Sequence, residues 1–350
     1  MLGLLRRWFK NKALTDLPGT PAVPRPPGRS RFLAARFKSP LALALLRRNP
    51  HVELGYWLYL PSGSSRRDGL PLIVMLHGCT QDALSFAAGT RMNSLAEEAR
   101  CAVLYPEQNE RANPQRCWNW FEPASIAGHG EAALLARLIE QVTQRRPIDP
   151  RRVYLVGMSA GGAMACVLAV RHSRLFAACA IHSGLMYGVA SSPIQALAAM
   201  RSGPSDASID KARRLVHEAG KSEVTVPTLV IHGDRDTIVN PLNADQIIEQ
   251  LKERAEFLDP SAGALVASGE RHIDGAGHGY RQQDHMRQGR TVLRKVLVEG
   301  LGHAWSGGDS RYEFNDAAGP NASRLILEFA MQCRRDTRAI GASREQETFS

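Results

Sequence analysis

The chain has 350 residues, 44% of them hydrophobic and 22% charged, a balance that fits a globular protein with a sizeable core and excludes fibrous, repetitive or disulfide-stapled classes. No apolar stretch reaches the length needed to span a bilayer. The formal net charge of +10 sits entirely in residues 1–50, which hold 11 Lys/Arg against Asp16 alone; the rest carries 33 residues of each sign, so no nucleic-acid partner is expected.

In chain order, Leu2, Leu5, Trp8 and Phe9 fall near one helical face among Arg6, Arg7, Lys10 and Lys12. Two readings stand, a solvated basic tail and an interfacial helix that contacts an anionic surface. The same basic residues interrupt any signal-peptide core, and LALALL (41–46) is too short for one. A cytoplasmic protein is therefore expected, with an extracellular one as the alternative. Residues 18–27 are proline-rich and read as a linker, and 31–48 as a short basic helix broken at Pro40. Residues 1–50 thus form an arm and linker, 51–333 the folded catalytic domain, and 334–350 a disordered tail.

From residue 51 strands alternate with helices. YWLYL (56–60), LIVML (72–76), AVLYP (102–106), VYLVG (153–157), ACAIHSG (178–184), TLVIHG (228–233) and VLRKVLVEG (292–300) read as strands. Their continuous apolar runs suit strands buried on both faces. Helices are predicted at 91–98, 131–144 and 160–171. The pattern predicts an α/β architecture, a mainly parallel central sheet flanked by helices, with 188–225 as a small cap-like insertion or a surface excursion.

The chemistry is carried first by Gly157-Met158-Ser159-Ala160-Gly161, which lies directly between the strand VYLV and a helix. Strand, G-x-S-x-G and helix is the context of a nucleophile elbow, where small neighbours let strand and helix approach closely around a strained serine. The Ala160 N–H at the helix start is one expected oxyanion donor. LIVML runs into His77-Gly78-Cys79-Thr80-Gln81, and the Cys79 N–H is the expected second donor. His77 is read as ordering this loop rather than as the base.

Chain order in such sites is serine, acid, histidine. Asp234 and Asp236 both follow TLVIHG; Asp236 is chosen as the acid, with Asp234 as a turn residue. His303, after the last long strand and between Gly302 and Ala304, is the expected base. His278 and His285 lie earlier, beside a hairpin turn at 287–290, while His182 and His232 are read as structural. Trp118 and Trp120, in the cluster Cys117–Phe121, and Trp305 are assigned to the substrate cleft, against the alternative that Trp118 and Trp120 pack as core. Cys79 and Cys117 are candidates for a disulfide, which the sequence leaves open.

Together the blocks LIVMLHGCTQDA, LYPEQNERANPQRCWNWF, VYLVGMSAGGAMA, IHSGLMYG, VIHGDRDTIVNP and GHAWSGGD resemble the poly(3-hydroxybutyrate) depolymerase family of esterases, related to feruloyl and acetylxylan esterases. The resemblance, over residues 52–333, implies an α/β-hydrolase fold and a Ser159–Asp236–His303 triad. It also implies an oxyanion hole of the Cys79 and Ala160 amides. The expected activity is hydrolysis of carboxylic esters through an acyl-enzyme, without a cofactor or metal. Short hydroxyalkanoate esters or oligomers are the expected substrates. The alternatives are a feruloyl- or acetylxylan-type carbohydrate esterase and a non-catalytic, granule- or surface-associated binding protein on the same scaffold.

Overall fold

The computed structural model describes residues 30–38, 53–65, 67–220 and 223–335. The candidate interfacial helix, the proline-rich linker and residues 336–350 lie outside them. Among the described residues no helix is long and apolar enough to cross a membrane.

The chain enters through β1 (Arg31–Lys38), β2 (Glu53–Leu60) and β3 (Leu70–Leu76), then the helices α1 (Ala83–Thr90) and α2 (Met92–Glu98). Next come β4 (Ala102–Glu107), α3 (Pro123–Ile126), α4 (Gly130–Arg145), β5 (Ile148–Met158), α5 (Ala160–Arg171) and β6 (Ala178–His182). Two helices, α6 (Pro193–Ser202) and α7 (Asp206–Glu218), precede β7 (Thr228–Gly233) and α8 (Leu242–Leu258). Short strands β8 (Val266–Ala267) and β9 (Arg271–Ile273) lead to the hairpin β10 (Tyr280–Arg287) and β11 (Arg290–Val298). A small ladder of β12 (Trp305–Ser306) and β13 (Asn315–Asp316) and the helix α9 (Ala322–Ala330) complete the series.

The main sheet runs β1-β2-β4-β3-β5-β6-β7-β11-β10-β8, with β9 paired to β10. From β4 to β11 neighbouring strands are parallel, and antiparallel strands are confined to the two edges. The alternating side chains of β3 show why its sequence is apolar without interruption. Leu70, Leu72, Val74 and Leu76 enter the core layer that holds the buried faces of α4, α5 and α8. Ile73 and Met75 enter the opposite layer, with residues of α1, α2 and α9. A strand covered by helices on both sides has no polar face to display. This is the α/β-hydrolase architecture.

Residues 31–38 correct one expectation: they form a strand, not a helix, antiparallel to β2 with Arg31 opposite Leu60. Their Ala, Leu and Arg content favours a helix locally, but the edge of β2 offers unpaired backbone groups. Phe32 and Phe37 then reach opposite faces, Phe32 packing 5.0 Å from the Trp57 ring while Phe37 joins the other layer. The folded body therefore begins before residue 51. The helices α1, α8 and α9, which the sequence pattern does not single out, contribute to the two layers.

The insertion at 188–225 is helical and is clamped from below by Arg254 of α8. Its Nη1 donates to Val216 O of α7 (3.0 Å) and its Nη2 to Val170 O of α5 (3.0 Å), so one guanidinium satisfies carbonyls near the C-termini of two helices. Arg254 is only 3% exposed. Replacing it with Ala leaves both carbonyls buried and unpaired. Arg254→Ala is expected to lower the unfolding free energy by about 3 kcal/mol, read from urea denaturation.

Candidate active site

The loops at the C-terminal ends of the parallel strands build the site. β5 ends at Met158, α5 begins at Ala160, and Ser159 between them has φ 56° and ψ −122°. A non-glycine residue in that region is strained and persists only where its surroundings force it. They do so here by close approach. A Cβ on Gly157 would lie 2.1 Å from Gly161 O, and one on Gly161 would lie 2.2 Å from Leu76 O, so neither position admits a side chain. The Ser159 N–H is anchored to His182 O at 2.9 Å.

Gly78 brings the first loop against this turn, since a Cβ there would stand 3.5 Å from Ser159 Cβ. The Gly78 N–H is taken by Gln81 Oε1 at 2.8 Å. By contrast, the N–H groups of Cys79 and Ala160 donate in none of the hydrogen bonds among the described residues. Two free donors flanking a serine are what a developing oxyanion requires.

β7 and β11 run parallel to the pair Gly233–Val298, and the turns beyond them interlock. Asp234 N donates to Val298 O, Arg235 N to Leu301 O, and Gly300 N to Asp234 Oδ1 at 2.7 Å. Asp234, expected to serve only its own turn, instead ties the acid loop to the turn that carries His303. Asp236 then faces His303, with Nδ1 2.7 Å from Oδ2. Its Oδ1 accepts from the N–H groups of Ile238 (2.9 Å) and Val239 (2.8 Å). Burial by itself would raise the Asp236 carboxyl. The interactions with His232 and His303 outweigh it and hold the group well below the ordinary carboxylate range, hence ionised. An anion there fixes the proton on His303 Nδ1 and leaves Nε2 as the base-competent nitrogen.

Ser159 and His303 line one narrow cavity of ≈ 20 Å³ together with Gly78, Cys79, Gln81, Met158, Met200, Ile238 and Phe314. No hydrogen bond joins Ser159 to His303 among the described residues. Such contacts are commonly long in a free hydrolase and close when substrate is bound. Met200, Ile238 and Phe314 carried no sequence signal, because they come from three separate segments that only folding brings together. A groove of ≈ 790 Å³ that includes Arg174, Pro227, Arg290 and Val292 lies at the opposite, N-terminal ends of the strands, away from Ser159. Among the described residues no group of three or more His, Cys, Asp or Glu is arranged to hold a metal ion.

The three tryptophans correct a second expectation. Trp118, Trp120 and Trp305 are buried and none lines the cavity. Trp118 Nε1 donates to His77 O at 3.0 Å; Trp305 stacks on His182 with centroids 5.0 Å apart and donates to Ser323 Oγ at 3.1 Å. Trp118 and Trp305 find both apolar packing and a hydrogen-bond partner inside the protein, and Trp120 packs edge-on against Phe121 with centroids 5.6 Å apart, so the three indoles serve the core. Cys79 and Cys117 are joined by a disulfide, with Cα atoms 4.2 Å apart. His278 pairs with Asp316 at 3.5 Å and His285 is buried on β10, so neither meets Ser159 at the cavity.

The profile of the family described as "Esterase PHB depolymerase" matches residues 54–274, more than half of the chain. The chain belongs to this family. The match takes in Ser159 and Asp236 and ends before His303. Among curated relatives, Poly(3-hydroxyalkanoate) depolymerase C of Paucimonas lemoignei is 34% identical over 205 residues, 57% of this chain and 48% of its own length. Feruloyl esterase B of Thermothelomyces thermophilus is 28% identical over 213 residues, 58% of this chain and 70% of its own. The chain thus spans about half the length of the depolymerase. Among solved structures, an acetyl xylan esterase from Aspergillus awamori superposes with a TM-score of 0.62 at 16% identity, covering 85% of this chain and 99% of that one. At that identity the likeness speaks for the fold.

Among the buried histidines of this family member, His77 and His182 carry the strongest desolvation. Desolvation pushes His77 down to about 4, and desolvation with the nearby His232 and His303 pushes His182 down to about 3. A lowered value favours the neutral ring, so both imidazoles stay uncharged down to pH 5. In NMR of histidine-labelled protein, neither His77 nor His182 is expected to titrate between pH 8 and pH 5.

Proposed function

We propose that this protein hydrolyses carboxylic esters with short acyl groups through an acyl-enzyme on Ser159. In this reading His303 takes the Ser159 proton as Oγ attacks the ester carbonyl and returns it to the leaving alkoxide. It then activates the water that releases the acid. Asp236 holds the imidazole tautomer and stabilises the imidazolium, and the amides of Cys79 and Ala160 receive the oxyanion. The observation that carries the reading is the ionised Asp236 bonded to His303, which shares a cavity with a strained serine.

The lining of that cavity bears on the substrate. Met200, Ile238 and Phe314 offer an apolar wall beside Ser159, which suits a short aliphatic acyl group. Short hydroxyalkanoate esters and oligomers are therefore the first reading, with feruloyl- or acetylxylan-type carbohydrate esters as the second. The Cys79–Cys117 bridge supports the extracellular alternative over the cytoplasm, since disulfides persist where thiols are oxidised.

Wild-type protein is expected to turn over p-nitrophenyl acetate and butyrate, and Ser159→Ala to lose about 10⁴-fold or more in kcat. Wild type as inactive as the variant would point to a non-catalytic binding protein. Met200, at the C-terminal end of α6, walls the cavity. Met200→Ala, which removes three heavy atoms from the wall, is expected to raise the kcat/KM ratio of p-nitrophenyl hexanoate to acetate roughly tenfold or more.

A further inference from the structure

The loop that carries the Cys79 amide, residues 77–81, is tied by several bonds to one irregular segment, residues 108–120. His77 Nε2 accepts from Gln108 N at 3.1 Å, and Nδ1, which must then hold the proton, donates to Gly78 O at 2.7 Å. Trp118 Nε1 donates to His77 O at 3.0 Å, and Thr80 N donates to Gln115 O at 2.7 Å. The disulfide adds a covalent tie between Cys79 and Cys117. The placement of the oxyanion donor is therefore only as firm as that of the segment.

The segment contains no helix or strand beyond the end of β4, so its position must come from side-chain anchors. Two buried groups supply them. Gln108 Nε2 donates to Cys117 O (3.0 Å) and to Glu131 Oε1 (2.5 Å). Asn119 N donates to Glu131 Oε2 at 2.6 Å, so both ends of the segment bind one carboxylate in the first turn of α4. Gln108 is 3% exposed and Glu131 1%. Burial raises the Glu131 carboxyl to about 7 against the hydrogen bonds that lower it. An apolar residue of the same volume would avoid that desolvation, and could not grip the two ends of the segment.

We propose that Glu131 and Gln108 are positioning residues, which hold the Cys79 amide in its oxyanion-binding place through the 108–120 segment. The inference rests on the esterase reading for its kinetic consequence, and on the contacts alone for its structural one. An oxyanion donor acts in the transition state and barely on bound substrate, so displacement by a few tenths of an ångström lowers kcat and spares KM. A residue that merely stabilises the fold lowers neither in molecules that remain folded.

The test uses the full chain and p-nitrophenyl acetate. Glu131→Gln turns an NH₂ group towards the donors of Gln108 or Asn119, and Gln108→Glu sets two carboxylates face to face. Each is expected to lower kcat about tenfold with KM within twofold of wild type. The double variant E131Q/Q108E restores a donor opposite an acceptor between residues 108 and 131, though not at Cys117 O, and is expected to recover about threefold of the lost kcat. Hydrogen–deuterium exchange at residues 77–81 is expected to rise in the single variants and fall back in the double. Wild-type kcat in both single variants, a change confined to KM, or unchanged exchange at 77–81 would each overturn the proposal. If the wild-type protein proves inactive, the esterase reading fails separately, and exchange still decides whether Glu131 and Gln108 hold the loop. If E131Q does not fold, Q108E and its exchange profile decide in its place.

Discussion

The close approach of backbone around Ser159 sets the terms for the rest of the site. A Cβ at Gly157 or Gly161 would overlap a carbonyl oxygen by more than an ångström, so β5, α5 and the end of β3 meet with no side chain between them. That contact forces Ser159 into a left-handed conformation which an alanine or serine in open chain would leave. It also aims the N-terminus of α5 at the space above the serine, where its free N–H groups and dipole favour negative charge. The strain is local, and the large two-layer core on either side of the sheet holds it in place.

Around that turn the site is assembled from loops that lean on one another rather than on the sheet. The acid loop and the histidine loop are sewn together by Asp234, Arg235 and the crossing at Gly233, where a Cβ would lie 2.2 Å from Leu301 O. The oxyanion loop leans on the 108–120 segment, which leans on α4. The insertion leans on the acid loop, through Asn240 N to Met200 O at 2.7 Å and Asn243 Nδ2 to Ala199 O at 3.1 Å. Most of these contacts satisfy a backbone N–H or C=O group that the loop would otherwise leave unpaired. The groups that react are thus carried on loops with the rigidity of a core.

This arrangement also explains which residues line the cavity. Sequence motifs mark chemistry that must recur at fixed spacing, such as the glycines flanking Ser159. In the proposed reaction, selection of the acyl group would need only apolar surface at the right place, which Met200, Ile238 and Phe314 offer from the insertion, the acid loop and the segment before β13. The tryptophans illustrate the converse. They stand beside the motif cysteine and histidine in sequence, yet the indoles point inward, because a large ring with one N–H is best served by packing around a buried carbonyl or hydroxyl.

The amino-acid sequence by itself determined the parallel sheet, from apolar runs without alternation, and the identities of Ser159, Asp236 and His303 as candidates, from a steric requirement for glycine and from chain order. It also marked His77 as a loop residue. Tertiary structure alone decided what depends on distance between remote segments. It made residues 31–38 a strand by offering them the edge of β2, closed Cys79 onto Cys117, and turned Trp118, Trp120 and Trp305 into the core. It also set Glu131 beneath the 108–120 segment, bonded to Gln108 and Asn119, 23 and 12 positions away. The physical reason is common to all four: local sequence carries backbone preference and side-chain period, whereas pairing and burial depend on which surfaces remain unsatisfied once the rest of the chain has folded.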